Sequence, residues 1–171
     1  EDSINYHLES LIPIASSSEA KILAGNKNKL THEQKENYFA YFWENRERED
    51  PISAWIAYKK KVDEADKKYG SRIKRGYQTD MGRVFIKYGK PNDVTEKLNE
   101  QGAYPYVIWH YYRANNRSNV MFVFYQSTAV AEDFELIHST MQGEVFNGNW
   151  KTTVNSRVGG GDSRLDDEER K

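Results

Sequence analysis

The four histidines, His7, His32, His110 and His138, are the side chains here that titrate nearest neutral pH and most readily ligate metals. None stands in an HExxH or comparable ligand spacing, and a metal site needs converging ligands, so no metal is expected. His110 and His138 could meet only from neighbouring strands, with no third ligand in view. The serines lack the G-x-S-x-G setting of an activated nucleophile, and the chain has no Cys, which excludes thiol chemistry. Gly159-Gly160-Gly161 lies in a polar stretch with no strand before it, so it reads as a linker rather than a phosphate loop. Thr79, Asp80 and Arg83 remain. As a catalytic group, Asp80 would be a base and Arg83 an anion clamp one turn away. The plainer reading has Thr79 cap a helix while Asp80 sits at its positive end and pairs with Arg83 at i, i+3. Capping already accounts for these residue types, so no catalytic residue and no cofactor are expected.

These residues depend on elements whose periodicity is visible. Residues 1–30 read as a short leading helix or extended segment, then a loop through the Ser16-Ser17-Ser18 run to Gly25. Thr31 with Gln34 forms a capping-box pattern ahead of the stripe Tyr38, Phe39, Phe42 and Trp43. Pro51 suits the start of a second helix, in which Trp55, Tyr58, Val62, Ala65 and Tyr69 follow at helical steps. Gly70 is placed to end it in a left-handed cap. Both aromatic stripes read most simply as core. Met81, Val84, Phe85 and Tyr88 fall at i, i+3, i+4 and i+7, which predicts a short helix starting at Thr79 and stopped by Gly89 and Pro91.

Beyond Pro91 the pattern turns to strands over 93–98, 104–112, 120–126 and 134–138, with turn-like clusters at 99–102, 115–119 and 127–133. Consecutive strands with short connections predict an antiparallel meander. Both faces of this sheet are apolar: Tyr104, Tyr106, Ile108, His110 and Tyr112 alternate with Val107, Trp109 and Tyr111, and Phe122 and Phe124 with Met121, Val123 and Tyr125. A sheet with one face in water would alternate apolar with polar. Both faces therefore need cover, from helices of the chain or from a partner. Phe146 and Trp150 are expected on a docked loop, and the chain from Asn155 is expected to be a flexible tail.

The bulk numbers limit the function classes. Lys+Arg 25 against Asp+Glu 26 gives a net charge of -1, which argues against binding through phosphate neutralisation. Local basic patches stand at 59–61 and around Lys74 and Arg75. Residues 119–125 faintly resemble a base-stacking strand, but the leading basic-Gly pair is missing, so nucleic acid is not expected. Aromatic residues make up 13% of the 171, too many for a disordered chain and typical of surfaces that bind proteins. No apolar run approaches the ~20 residues that span a bilayer. A first residue of Glu1 is expected for a processed protein or an excised fragment, which leaves room for a signal peptide or lipid anchor outside this chain.

The stretch Gly76-Tyr77-Gln78-Thr79-Asp80 resembles the signature of the bacterial GWxTD-domain family, with Tyr77 in place of the eponymous Trp. Phe42-Trp43, Arg46 and Asp50-Pro51, then Val62, Ala65 and Tyr69-Gly70, are similar to that family's approach to the motif. Gly82-Arg83, Tyr88-Gly89, Pro91, Trp109 and Tyr111 are similar to its continuation. The likeness covers roughly residues 9 to 150. It implies an exported protein of Gram-negative bacteria, in many members a lipoprotein, and implies no enzymatic activity. The order of helix, Gly-x-Pro and Trp-x-Tyr strand also resembles small outer-membrane lipoproteins of the SmpA/OmlA type, a likeness of fold alone.

Together these readings predict an α+β protein with a leading segment 1–30, a domain 31–150 and a tail 151–171. An N-terminal helical pair and a short helix are expected to pack on a small antiparallel β-meander of about four strands. The expected role is a non-enzymatic protein–protein interaction domain, a subunit of a cell-envelope complex in the periplasm or at the outer membrane, with Tyr104, Tyr106, Tyr112 and Tyr125 as contacts. A hydrolase or ligand-binding domain with its site around Tyr77, Thr79, Asp80, Arg83 and His110 is the first alternative. Single-stranded RNA binding through the aromatic sheet is the second.

Overall fold

The computed structural model describes residues 3–26, 29–128 and 133–157. The chain forms two compact units, Glu1–Pro91 and Asn92–Lys171.

The first unit is helical. Helix α1 (Ser3–Glu9) leads to a 3-10 turn at Ile12–Ile14, α2 (Ser17–Lys21) and a π turn at Ile22–Asn26. The leading segment is thus more helical than expected. Its serine run is a helix start: Ser16 Oγ accepts from Glu19 N–H (3.3 Å) while Ser16 N–H donates to Glu19 Oε2 (2.7 Å). Clustered serines suggest a loop by composition, and the box with Glu19 makes them a helix start instead. The segment also contributes core, because Leu8, Leu11 and Leu23 are fully buried.

Helix α3 (His32–Arg46) opens on the expected box, with Thr31 N–H donating to Gln34 Oε1 (2.9 Å) and Gln34 N–H to Thr31 Oγ1 (3.2 Å). Helix α4 (Pro51–Tyr69) starts at Pro51, capped by Asp50, whose Oδ1 accepts from Ser53 N–H (2.9 Å). Gly70 ends it differently from expectation, at φ -72° and ψ 150° rather than in the left-handed region. Its need for glycine is steric: a Cβ there would lie 2.4 Å from the Asp66 carbonyl oxygen. Helix α5 (Asp80–Tyr88) is capped by Thr79 and ended by Gly89 at φ 84°. Val84, Phe85 and Ile86 are its buried hydrophobes, and Phe85 meets the Tyr69 ring of α4 at 5.6 Å.

The second unit is a four-stranded antiparallel sheet in the order β1-β2-β3-β4, with β1 (Asp93–Lys97), β2 (Tyr106–Ala114), β3 (Arg117–Tyr125) and β4 (Glu135–Ser139). The β2–β3 turn is shorter than expected. Asn115 and Asn116 both adopt positive φ (41° and 58°), the requirement of a two-residue hairpin turn that Asn tolerates. Both strands therefore run to the turn, with Ala114 opposite Arg117.

Trp109 faces Phe122 and Val107 faces Phe124 across this hairpin, and Val107, Trp109, Tyr111, Phe122 and Phe124 are all buried. Cover for the opposite face comes from within the unit. A short helix, α6 (Trp150–Val154), packs Trp150 and Val154 against Ala103, Val123 and Ile137, with Tyr106, Ile108, Met121 and Tyr125 half-buried around them. Tyr104 N–H donates to the Val154 carbonyl at 2.8 Å and fixes the helix end. Residues 151–154 are therefore helix rather than tail. Phe146, expected to dock beside Trp150, is 76% exposed and touches the His138 ring at 5.2 Å, because Trp150 already occupies the apolar site. The tail expected to be flexible lies outside the described residues from 158 onward, as does part of the 127–133 turn.

One ion pair ties the leading segment to α3. Arg46 donates to both carboxylate oxygens of Glu19 (3.0 and 2.8 Å), and its guanidinium lies 3.4 Å from the centre of the Phe42 ring. Arg46 holds the Glu19 carboxyl at about 2, down from 4.5, so the pair stabilises the fold above pH 4.5 and that stability is lost as pH falls toward 2. Glu19→Gln is expected to lower unfolding free energy by about 1 kcal/mol at neutral pH in urea titrations. The deficit should shrink as the pH drops from 4.5 toward 2.

Candidate functional site

The signature opens with a 3-10 turn, Gly76–Gln78, after α4, then places Thr79 as the cap and Asp80 as the first residue of α5. Glycine is obligatory at two places by close approach. A Cβ on Gly76 would lie 2.0 Å from the Ala65 carbonyl oxygen of α4, and one on Gly82 would lie 1.8 Å from the Gly76 carbonyl oxygen. Real Cβ atoms do not come that near, so α4, the turn and α5 interlock through backbone alone.

Thr79 closes the turn. Its hydroxyl donates to the Gly76 carbonyl (2.8 Å) and accepts from Gly82 N–H (3.0 Å), and the residue is buried. The capping role foreseen for Thr79 is what the geometry shows. Asp80 follows in the first turn of α5, half-exposed, with Oδ1 3.7 Å from Arg83 Nε, an i, i+3 pair on the helix surface.

Tyr77 points its ring into the first unit. Its N–H donates to Asp66 Oδ1 (3.2 Å) and its hydroxyl to Glu9 Oε2 (3.1 Å), while Tyr6 donates its hydroxyl to Asp66 Oδ2 (3.1 Å). The two tyrosine rings meet edge to face at 5.8 Å. Burial, followed by the Asp66 carboxylate, raises Tyr6 to about 12. Burial and then the Glu9 carboxylate push Tyr77 up as well. Both phenols therefore stay protonated and act as donors.

Asp66, Tyr6 and Glu9 were missed by the sequence reading. Asp66 follows Ala65 on α4, but nothing in its spacing marks it as the acceptor for a residue eleven positions on. A tyrosine in α1 and the extra hydroxyl of Tyr77, each in want of a buried acceptor, are the only signals that could have suggested the group.

Within the first unit, the residues named for a catalytic set are engaged in separate contacts. The Tyr77 hydroxyl is held by Glu9 of α1, the Thr79 hydroxyl by the Gly76 carbonyl of the turn, and Asp80 pairs with Arg83 along α5, while His110 belongs to β2 of the second unit. Nor do the two strand histidines pair. His110 stands opposite Met121 and His138 opposite Val123, with β3 between them, and His138 Nδ1 accepts from Asn147 N–H (3.1 Å). Among the described residues no cluster of three or more metal-ligating side chains occurs.

Of the four tyrosines proposed as contacts, Tyr112 is the exposed one, at 66%. Tyr104 and Tyr125 are half-buried and pack edge to face at 6.2 Å. Tyr106 meets Trp150 at 6.1 Å and donates to Glu100 Oε2 (3.1 Å). Gly89 and Pro91 lead out of α5, and Trp109 is buried on β2 against Phe124 at 4.9 Å.

If the signature is a packing device, Gly82→Ala should cost about 3 kcal/mol through backbone overlap. Thr79→Ala should cost about 1 kcal/mol through the lost cap. Chemical denaturation checks both, and a near-neutral Gly82→Ala would contradict the interlock.

The chain matches the GWxTD domain family over residues 3–157. No curated protein and no solved structure matches it. A signature turn built around Gly76, Tyr77, Thr79 and Asp80, and a match running from α1 past the end of α6, make the chain a member of the GWxTD-domain family.

Proposed function

We propose that this chain is a non-enzymatic protein-docking domain, a subunit of a cell-envelope complex of a Gram-negative bacterium. The observation that carries the docking reading is an apolar groove between α3 and α4. Phe39, Ala40, Trp43, Pro51, Ile52 and Trp55 line it, with Glu44 as the charged wall residue among the described residues. Here the aromatic stripes are not wholly core. Phe42, Trp43 and Tyr58 are buried, whereas Phe39 and Trp55 stand half-exposed at 4.9 Å from each other and Ile52 is 69% exposed.

The groove holds ≈ 290 Å³, at or below the lower end of the roughly 300–1,000 Å³ usual for small-molecule pockets. That size suits an anchor side chain presented by another protein, as interface hot spots are built. The occupant is a large apolar side chain flanked by a basic residue that faces Glu44. Placement in the envelope, in the periplasm or at the outer membrane through a lipid anchor, follows the character of the family. No helix among the described residues is long and apolar enough to cross a membrane.

The RNA-binding alternative is not favoured. Phe122 and Phe124, the rings that would stack bases, are fully buried.

The test is co-purification of the full chain from its native envelope, followed by a binding titration with the partner recovered. Ile52→Glu is expected to weaken that affinity at least about tenfold, roughly 1.4 kcal/mol, with the melting temperature unchanged. Tyr112→Ser, made in parallel, reports whether the sheet edge contributes. A partner held equally by wild type and Ile52→Glu would remove the groove from the account. Recovery in the cytoplasmic fraction would remove the envelope assignment.

A further inference from the structure

The second unit carries a titratable ring whose charged form the fold does not accommodate. His138, on β4, is buried at 4% exposure. Its ring stacks on Trp150 of α6 (6.2 Å, 17° between planes) and meets Phe146 edge to face at 5.2 Å. Asn147 N–H donates to Nδ1 (3.1 Å), so Nδ1 keeps its lone pair and the hydrogen of the neutral ring sits on Nε2.

Asn147 is the node of the chain between β4 and α6. Its carbonyl accepts from Trp150 N–H (3.3 Å), and its Oδ1 accepts from Asn149 N–H (2.9 Å). Ahead of it, Ser139 N–H donates to the Val145 carbonyl (2.7 Å) and Glu144 N–H to the Met141 carbonyl (3.2 Å). The Val145 and Phe146 side chains are exposed. A loop tied by hydrogen bonds more than by apolar burial opens at low cost. The bond to His138 is one of the few ties from its far half back to the sheet.

Protonation turns Nδ1 from an acceptor into a donor. Two N–H groups then oppose each other across the former bond, and a cation stands among buried rings. Among the described residues, the charged side chains on the elements around it are Glu135 on β4, Arg117 at the far end of β3, Glu144 on the loop and Lys151 on α6. The Lys151 Nζ lies 5.7 Å from the centre of the Trp150 ring. Burial rather than any of these charges lowers the His138 pKa, and the opposing pull of the Asn147 backbone is the smaller. A histidine depressed in this way contributes stability above its ordinary 6.5, which is lost as pH falls below that value.

We propose that His138 is a pH-sensitive latch. Neutral, it holds residues 140–149 and the start of α6 on the sheet; protonated, it releases them while the β2–β3 hairpin stays folded.

Heteronuclear NMR on the full chain reads the His138 tautomer, and amide exchange reads the protection of Asn147 N–H from about pH 7.5 to about 5. Wild type is expected to carry its hydrogen on Nε2 when neutral. The Asn147 protection factor should fall below pH 6.5 by up to about tenfold per pH unit. At the acid end this amide should exchange faster than those of the β2–β3 hairpin. His138→Asn keeps an acceptor oxygen near the Nδ1 position and does not titrate, so its Asn147 protection should not vary with pH in this range. A hydrogen on Nδ1 in the neutral wild type, equal protection at both ends, or the same pH slope in His138→Asn overturns the proposal. So does Asn147 exchange no faster than that of the hairpin amides, which would mean that the unit opens as a whole. The tautomer and the wild-type exchange decide the matter if His138→Asn fails to fold.

Discussion

The carbonyl oxygen of Ala65 and the Cα of Gly76 approach so closely that no side chain fits between them. The rest of the helical unit depends on that contact. It lets a one-turn connection lie flat on α4, and the Gly76 carbonyl in turn receives the Thr79 hydroxyl and presses on Gly82. Backbone groups buried at such a junction must find partners, since a lost one costs about 1–3 kcal/mol. Asp66 supplies the acceptor for Tyr77 N–H, and its second oxygen takes the Tyr6 hydroxyl. The same carboxylate therefore secures the signature and the leading helix.

That arrangement explains why the residues of the motif look like chemistry and act as structure. A threonine, an aspartate and an arginine within five positions suggest a catalytic group. Yet the threonine is enclosed by its own turn, and the acid and base pair along the helix surface. Substituting Tyr for the family's Trp keeps a large ring at the junction and gives it a hydroxyl, which Glu9 accepts. The accessible features lie around the turn, in the basic loop that follows α4 and in the groove between α3 and α4.

Much of this was legible because it is local. The capping box at Thr31, the proline start at Pro51, the α5 stripe and the four-strand order follow from periodicity and short-range hydrogen bonding. What escaped was non-local or concealed by composition. The serine run at Ser16 has the composition of a loop, while Glu19 completes a capping box that starts a helix there. Trp150 and Val154 form too short an apolar repeat to announce α6, which exists because the sheet offers it an apolar seat. Two apolar faces signal a need for cover, and on one of them α6 supplies it from within the unit. The half-exposure of Phe39 and Trp55 could not be told from burial, since both give the same spacing. Asp66 had no signal at all.

The central claim is that the signature turn is a sealed packing junction. Amide hydrogen exchange by NMR addresses it most directly. The N–H groups of Tyr77 and Gly82, bonded to Asp66 and Thr79, should exchange only with global unfolding and share the slowest rates of the α4 core. Exchange at those two amides near the rate of an unstructured chain, while α4 stays protected, would show the turn to be open and contradict the account.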